Sequence, residues 1–172
     1  MQLYAAEVTG LTYEKLSPRI SDTAKMMWTT YVVLTATEVL GLWLCGMPIF
    51  DAVCHSFSTI ATGGFSTKNN SLAFYDSAAI HYLVTFFMFI SGINFVILIY
   101  LVRGKARNFF RDEELRWYTV AVILFALLLT IGLYISRPGW TAMHMERSFR
   151  DSIFTVISAM TSTGYTISDY MY

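Results

Sequence analysis

Charge is scarce in this chain, and so is cysteine. Of its 172 residues, 14% are Asp, Glu, Lys or Arg, where soluble domains carry about 25%. The 12 basic and 12 acidic residues cancel, so no electrostatic footprint for nucleic acid exists and none is expected as a partner. Two cysteines, Cys45 and Cys54, exclude a disulfide framework and a cysteine metal cluster. His55, His81 and His144 show neither catalytic nor metal-ligand spacing, and an enzyme is not expected. What is plentiful is apolar: 55% of residues are hydrophobic and 16% aromatic. An integral membrane protein is the class that remains.

The gaps between charges measure the membrane segments. A bilayer core about 30 Å thick needs roughly 20 apolar residues of helix. No Asp, Glu, Lys or Arg occurs between Asp76 and Arg103, or between Arg116 and Arg137. Between Lys25 and Asp51 the single exception is Glu38. Three spans are therefore expected, near 26–47, 78–102 and 117–136. Uncharged runs of this length cannot make the polar face of a soluble helix. Nor does the polar stretch from Met1 to Lys25 read as a cleaved signal peptide.

Basic residues set the orientation. Lys15, Arg19 and Lys25 precede the first span, and Arg103, Lys105, Arg107, Arg111 and Arg116 follow the second. The opposite side carries Lys68, Arg137, Arg147 and Arg150. The positive-inside rule places the N-terminus and the 103–116 loop in the cytoplasm, of a plasma (cell inner) membrane protein. Trp28, Trp43, Trp117, Tyr118 and Trp140 lie near span ends and read as interface anchors.

The two outward-facing segments repeat one another at an offset of 100 residues. Asp51, Ser58, Gly64, Phe65 and Ser66 correspond to Asp151, Ser158, Gly164, Tyr165 and Thr166, with no gap from 49 to 67. Ile49, Val53 and Ile60 likewise correspond to Phe149, Ile153 and Met160. In each copy a span leads into an amphipathic stretch of about 12 residues, Pro48–Ile60 or Arg147–Met160, too short to cross a bilayer and suited to a re-entrant half-helix. Pro48 suits the first turn of such a helix. A glycine-centred run follows: Thr62, Gly63, Gly64, Phe65 and Ser66 in one copy, Ser162, Thr163, Gly164, Tyr165 and Thr166 in the other.

That plan has a specific chemistry. Non-helical backbone at membrane depth must be buried in protein or line a water-filled path. Glycine tolerates positive φ, so successive carbonyls can point one way. Such carbonyls replace the hydration shell of a potassium ion, and the half-helix directs its negative C-terminal end toward it. Two segments cannot surround an ion, so further segments are required.

With these residues in hand, a resemblance emerges. The run from Gly46 through Pro48 and Asp51, and then from His55 to Thr67, resembles the second pore region of the TrkH/KtrB superfamily of potassium transporters, closest to its TrkH branch. Met1–Tyr4 with Glu7, Pro18–Ile20 and Thr23–Lys25 resemble the preceding linker. Ser91–Phe95 resembles the following helix, and Ser158–Thr166 the third pore region. The resemblance implies an all-α integral membrane fold of repeated helix–pore loop–helix units, pseudo-fourfold around a potassium pathway. It divides the chain into a cytoplasmic linker (1–25), a complete unit (26–102; pore helix about 48–60, filter 62–66), a cytoplasmic basic loop (103–116) and an incomplete unit (117–172; pore helix about 147–160, filter 162–166). A fragment of a four-unit parent, inactive alone, is the expectation. The alternatives are a self-assembling pore subunit and a non-conducting membrane scaffold.

The resemblance also implies the site. Thr62, Gly63, Gly64 and Phe65 with Ser162, Thr163, Gly164 and Tyr165 would bind potassium ion through backbone carbonyls. One filter glycine per unit implies a looser ion preference than a two-glycine filter. Implied partners are the remaining pore units, a second copy in a homodimer, the lipid bilayer, and a cytoplasmic nucleotide-binding regulator of the TrkA/KtrA type. No cofactor is expected in this chain, whose sequence has no phosphate-binding glycine loop. Four further residues carry two readings each. Glu38, mid-span, is a cation-attracting group or an interior carboxyl hydrogen-bonded to a neighbour such as Thr35. Asn94 binds an ion or bonds between helices. Asp51 and Asp151 concentrate cations at the outer mouth, or orient their half-helices from the first turns.

Overall fold

The computed structural model describes residues 20–94, 97–98, 112–136 and 142–167. The expected linker up to residue 19, the basic run 103–111 and Trp140 lie outside the described residues. Five helices make up the rest: α1 Ile20–Leu44, α2 Ile49–Ile60, α3 Ala78–Ser91, α4 Glu113–Ser136 and α5 Ala142–Met160, with a short 3-10 turn at Ser71–Phe74 between α2 and α3. No strand occurs among the described residues, and the all-α expectation holds. Two helical stretches, Ala24–Leu44 and Glu113–Ile135, are long and apolar enough to cross a membrane. Trp28, Leu44, Trp117, Leu128 and Ile135 are among the large side chains they leave exposed. Such faces suit lipid or neighbouring helices better than water.

The middle span, expected near 78–102, is not one unbroken helix among the described residues. Helix α3 stops at Ser91 with Gly92 as its cap. A side chain at Gly92 would meet the Thr161 methyl at 2.6 Å and the Tyr118 hydroxyl at 2.7 Å. The chain therefore turns where it presses against α4 and the end of α5. It resumes a helical pattern at once, since the Asn94 carbonyl accepts the amides of Ile97 at 2.9 Å and Leu98 at 3.3 Å.

The short helices follow their own chemistry. Pro48 precedes α2 with φ −54°, a value its ring enforces. Helix α5 begins at Ala142 rather than Arg147, so the second half-helix is longer than its sequence repeat. Glu146, Arg147, Arg150 and Asp151 on it exclude it as a lipid-facing span. It packs on both α4 and α3. Helix α1 packs on both α2 and α3. The core forms where these meet: Leu42, Met47, Leu72, Val84, Met88, Phe154 and Tyr165 are buried in one cluster. Tyr165 comes from the second pore loop, whereas Leu42, Met47 and Leu72 come from the first unit, so the two units share one interior.

Candidate functional site

Both half-helices end in the same way. Ala61 is the last residue of ordinary helical geometry after α2, and Thr62 turns to φ +51°. The Thr62 amide reaches the Thr59 carbonyl at 2.9 Å, and the Gly63 amide reaches that of Ser58 at 2.7 Å. This pair of bonds is a Schellman cap. At the second loop Ser162 adopts φ +58°, and its amide reaches Ala159 at 3.1 Å. Here the longer bond comes from Gly164, whose amide reaches the Ser158 carbonyl at 3.3 Å. Glycine normally takes the left-handed position; a Thr and a Ser do so here, and such outliers cluster at functional sites. Two residues further on, Gly64 and Gly164 return to positive φ, +68° and +82°. The alternation reverses successive peptide planes at the same point of each repeat.

The surroundings of the two glycines differ. A Cβ on Gly64 would lie 1.7 Å from the Thr163 carbonyl oxygen, whereas one on Gly164 would meet nothing within 4 Å. The two loops thus lie side by side, with backbone of one against backbone of the other. Position 65/165 differs as well. Tyr165 is 3% exposed and Phe65 80%. The Tyr165 hydroxyl points across the interface and donates to the carbonyls of His55 at 3.2 Å and Phe65 at 3.3 Å. The Tyr165 carbonyl in turn accepts the Ser158 hydroxyl at 2.9 Å. In the first loop the corresponding Ser58 oxygen accepts the Phe65 amide at 2.6 Å instead. The carbonyls of Phe65 and Tyr165 therefore each spend one lone pair within the protein.

A polar scaffold stands behind the first loop. Asp51, in the first turn of α2, accepts the Thr67 hydroxyl at 2.6 Å and the Tyr75 hydroxyl, and lies 3.2 Å from the Lys68 ammonium. The Thr67 and Tyr75 hydroxyls, aided by Lys68, hold its carboxyl well below the usual range, at about 2. Hydrogen bonds to the ionised form have this effect. His55 Nδ1–H donates to the Asp51 carbonyl at 2.7 Å, which leaves Nε2 to accept the Ser66 hydroxyl at 2.9 Å. Ser66 oxygen also accepts the Lys68 amide at 3.1 Å. Asp51 thus ties the segment leaving the loop to the start of the half-helix. Asp151 is buried at the equivalent place on α5.

Glu38 is wholly buried on α1. Its carboxyl faces Thr59, but that hydroxyl gives its hydrogen to the His55 carbonyl at 2.8 Å. Neither Glu38 oxygen has a hydrogen-bond partner. The expected partner Thr35 bonds its own helix, at the Tyr31 carbonyl; Thr35 is thus corrected to a self-satisfied helix residue. Asn94 sits beyond the α3 break, its carbonyl committed to restarting the chain. No group of three or more His, Cys, Asp or Glu that could hold a metal occurs among the described residues, and both cysteines are free. His55, Thr67 and Tyr75 escaped sequence reasoning. Ser58 and Ser158 were signalled by their recurrence in the repeat, though not in their role.

Known proteins resemble this chain in sequence and fold. The family model for TrkH, described as a cation transport protein, matches residues 1–171. The Trk system potassium uptake protein TrkH of Salmonella typhimurium is 39% identical over 168 residues, covering 96% of this chain and 34% of the relative. The Trk system potassium uptake protein TrkG of Escherichia coli K12 is 32% identical over 171 residues, 98% of this chain and 34% of that protein. The crystal structure of the potassium transporter TrkH from Vibrio parahaemolyticus superposes with a TM-score of 0.81 at 33% identity, covering 96% of this chain and 36% of that one. The chain spans about a third of the length of the curated relatives it matches. From the match along almost its whole length, the chain belongs to the TrkH family of cation transport proteins.

Proposed function

We propose that the two pore loops are parts of one selectivity filter for potassium, completed by further helix–pore–helix units that these residues do not supply. The recurrence of left-handed backbone at 62 and 64, and again at 162 and 164, carries this reading. Each loop follows a half-helix whose C-terminal end is negative, and carbonyls so presented can replace an ion's water shell. Thr62, Gly63 and Gly64 with Ser162, Thr163 and Gly164 supply the ion-facing carbonyls. Phe65 and Tyr165 contribute the second lone pair of theirs. The potassium uptake named for the relatives from Salmonella and E. coli agrees with this chemistry.

Asp51 is primarily a brace in this scheme, because its carboxyl is already met by Thr67, Tyr75 and Lys68. Asp151, Glu38 and Asn94 remain secondary candidates. The N-terminus and the basic 103–116 loop face the cytoplasm of the plasma membrane, where a nucleotide-binding regulator would dock. A second copy completes a dimer.

Growth of a potassium-uptake-deficient bacterium on low potassium, with rubidium uptake as readout, tests the proposal. The chain is expressed alone, and also grafted in place of the matching third of E. coli TrkH. Rescue by the graft and not by the chain alone is expected. Rescue by the chain alone would identify a self-assembling pore subunit. A graft that reaches the membrane and carries no rubidium would overturn the filter reading in favour of a scaffold.

A further inference from the structure

The first and second pore loops meet at one side chain. Tyr165 occupies the repeat position of Phe65 but has what Phe65 lacks, a hydroxyl. That hydroxyl has one hydrogen and two carbonyls before it, those of His55 at 3.2 Å and Phe65 at 3.3 Å. His55 belongs to the half-helix α2, and Phe65 to the filter run that follows it. The tyrosine ring is buried. It lies 6.0 Å from the His55 ring and joins the buried cluster of Leu42, Met47 and Leu72. The segment that carries it is pinned beyond the ring as well: Thr166 oxygen accepts the Ala73 amide at 3.1 Å, and the Thr166 amide donates to Ser71 at 3.3 Å. Before the ring, the Thr163 carbonyl abuts the bare face of Gly64.

We infer that the Tyr165 hydroxyl is a positioning group for ion selection: it bolts the second filter run to the first and fixes their separation. The inference rests on the filter reading above. A carbonyl ring discriminates between ions through the number and placement of its oxygens. The contact at Gly64 and the Thr166 bonds to Ala73 and Ser71 hold the second loop against the first unit, and the Tyr165 proton is what reaches the Phe65 carbonyl itself. Without the proton, the Phe65 carbonyl loses its tether and can turn, while the ring still fills its slot. Phe65 itself cannot reciprocate, because its ring is exposed and bears no donor.

The test uses the E. coli TrkH graft, with the ratio of potassium to sodium uptake as readout. Tyr165→Phe places in the second loop the residue the first loop already uses. The ratio should fall by about five- to tenfold, roughly one hydrogen bond (~1–1.4 kcal/mol). Two variants of tyrosine's size isolate the donor: para-aminophenylalanine, which keeps one, and para-methylphenylalanine, which does not. The amino variant should restore the ratio and the methyl variant should not. Equal ratios for the two would overturn the inference, since a purely structural ring would serve either way. So would failure of the donor-bearing variant to assemble. If the unmodified graft carries no potassium, the filter reading falls first and this inference with it; if it does and Tyr165→Phe leaves the ratio unchanged, only the bolt is refuted.

Discussion

The two pore loops share a backbone and differ in what surrounds it. Residues 62 and 64 have the left-handed geometry of 162 and 164. Yet Gly64 lies against the Thr163 carbonyl while Gly164 faces open space, and Phe65 is exposed where Tyr165 is buried. The loop at 162–166 leans on the first unit. The loop at 62–66 presents its outer face, with Ile49, Phe50, Phe57 and Phe65 all exposed on or beside α2. A repeat conserves conformation because its local sequence dictates it; each copy's packing depends on which neighbour is present.

The glycines give the sharpest way to break this comparison. Gly64→Ala combines left-handed strain with a collision against backbone, which has no rotamer to escape into. Together these should cost about 2–5 kcal/mol. Gly164→Ala should cost about 1–2 kcal/mol, from φ alone. Thermal unfolding of the detergent-solubilised protein compares them, and equal losses would mean that the close approach of the loops is absent in solution.

Next comes the brace. Asp51→Asn removes the charge that meets Lys68 and weakens two hydroxyl bonds, with an expected loss of about 1–3 kcal/mol. The pH dependence follows from the same carboxyl. Its value falls from 3.8 when free to about 2 when folded, so its contribution is complete above about pH 4 and is lost as pH drops through that window toward 2. Acid unfolding of Asp51→Asn should lack this component. An acid limb identical to that of the unmodified protein would show that the brace is not closed.

Ser58→Ala and Ser158→Ala sharpen the comparison at a smaller scale, about 1 kcal/mol each. The first strands an amide and the second a carbonyl. Water can replace the exposed bond to the Phe65 amide, whereas the bond to the Tyr165 carbonyl is buried, so Ser158→Ala should be the worse of the two in the same unfolding assay. The reverse order would mean that the 65 and 165 peptide planes are oriented otherwise. Smallest is Glu38→Gln. The amide brings a donor that can reach the Thr59 oxygen, so stability should stay within about 0.5 kcal/mol or rise. A loss of several kcal/mol would reveal a buried cation or donor at Glu38.

Much of this was legible in the chain. The outer spans stand out because charge is expensive in lipid, and charge is countable. The filter runs stood out because an exact 100-residue offset carried Asp, Ser and Gly together. The middle span, expected near 78–102, has a helix break at Gly92 that its hydropathy does not mark. It carries no charge from 78 to 102, and Gly92 at the break lies against Thr161 and Tyr118, residues far along the chain. The length of α5 differs too: residues 142–146 join the helix ahead of Arg147, and the repeat with α2 gives no hint of that. At Glu38 the choice between partnered and unpartnered carboxyl depended on where Thr35 and Thr59 send their hydrogens.

Local rules are short-range, and the sequence by itself determined what they control: two long apolar helices, two half-helices, and a glycine at 64 and 164, where each loop turns left-handed a second time. Only the tertiary structure decided which loop leans on which, that Tyr165 reaches His55 and Phe65, and that Gly64 has a second reason to be glycine. Those contacts join residues about 100 positions apart. Nothing in a stretch of sequence specifies a distance between two such stretches until the helices that carry them have packed.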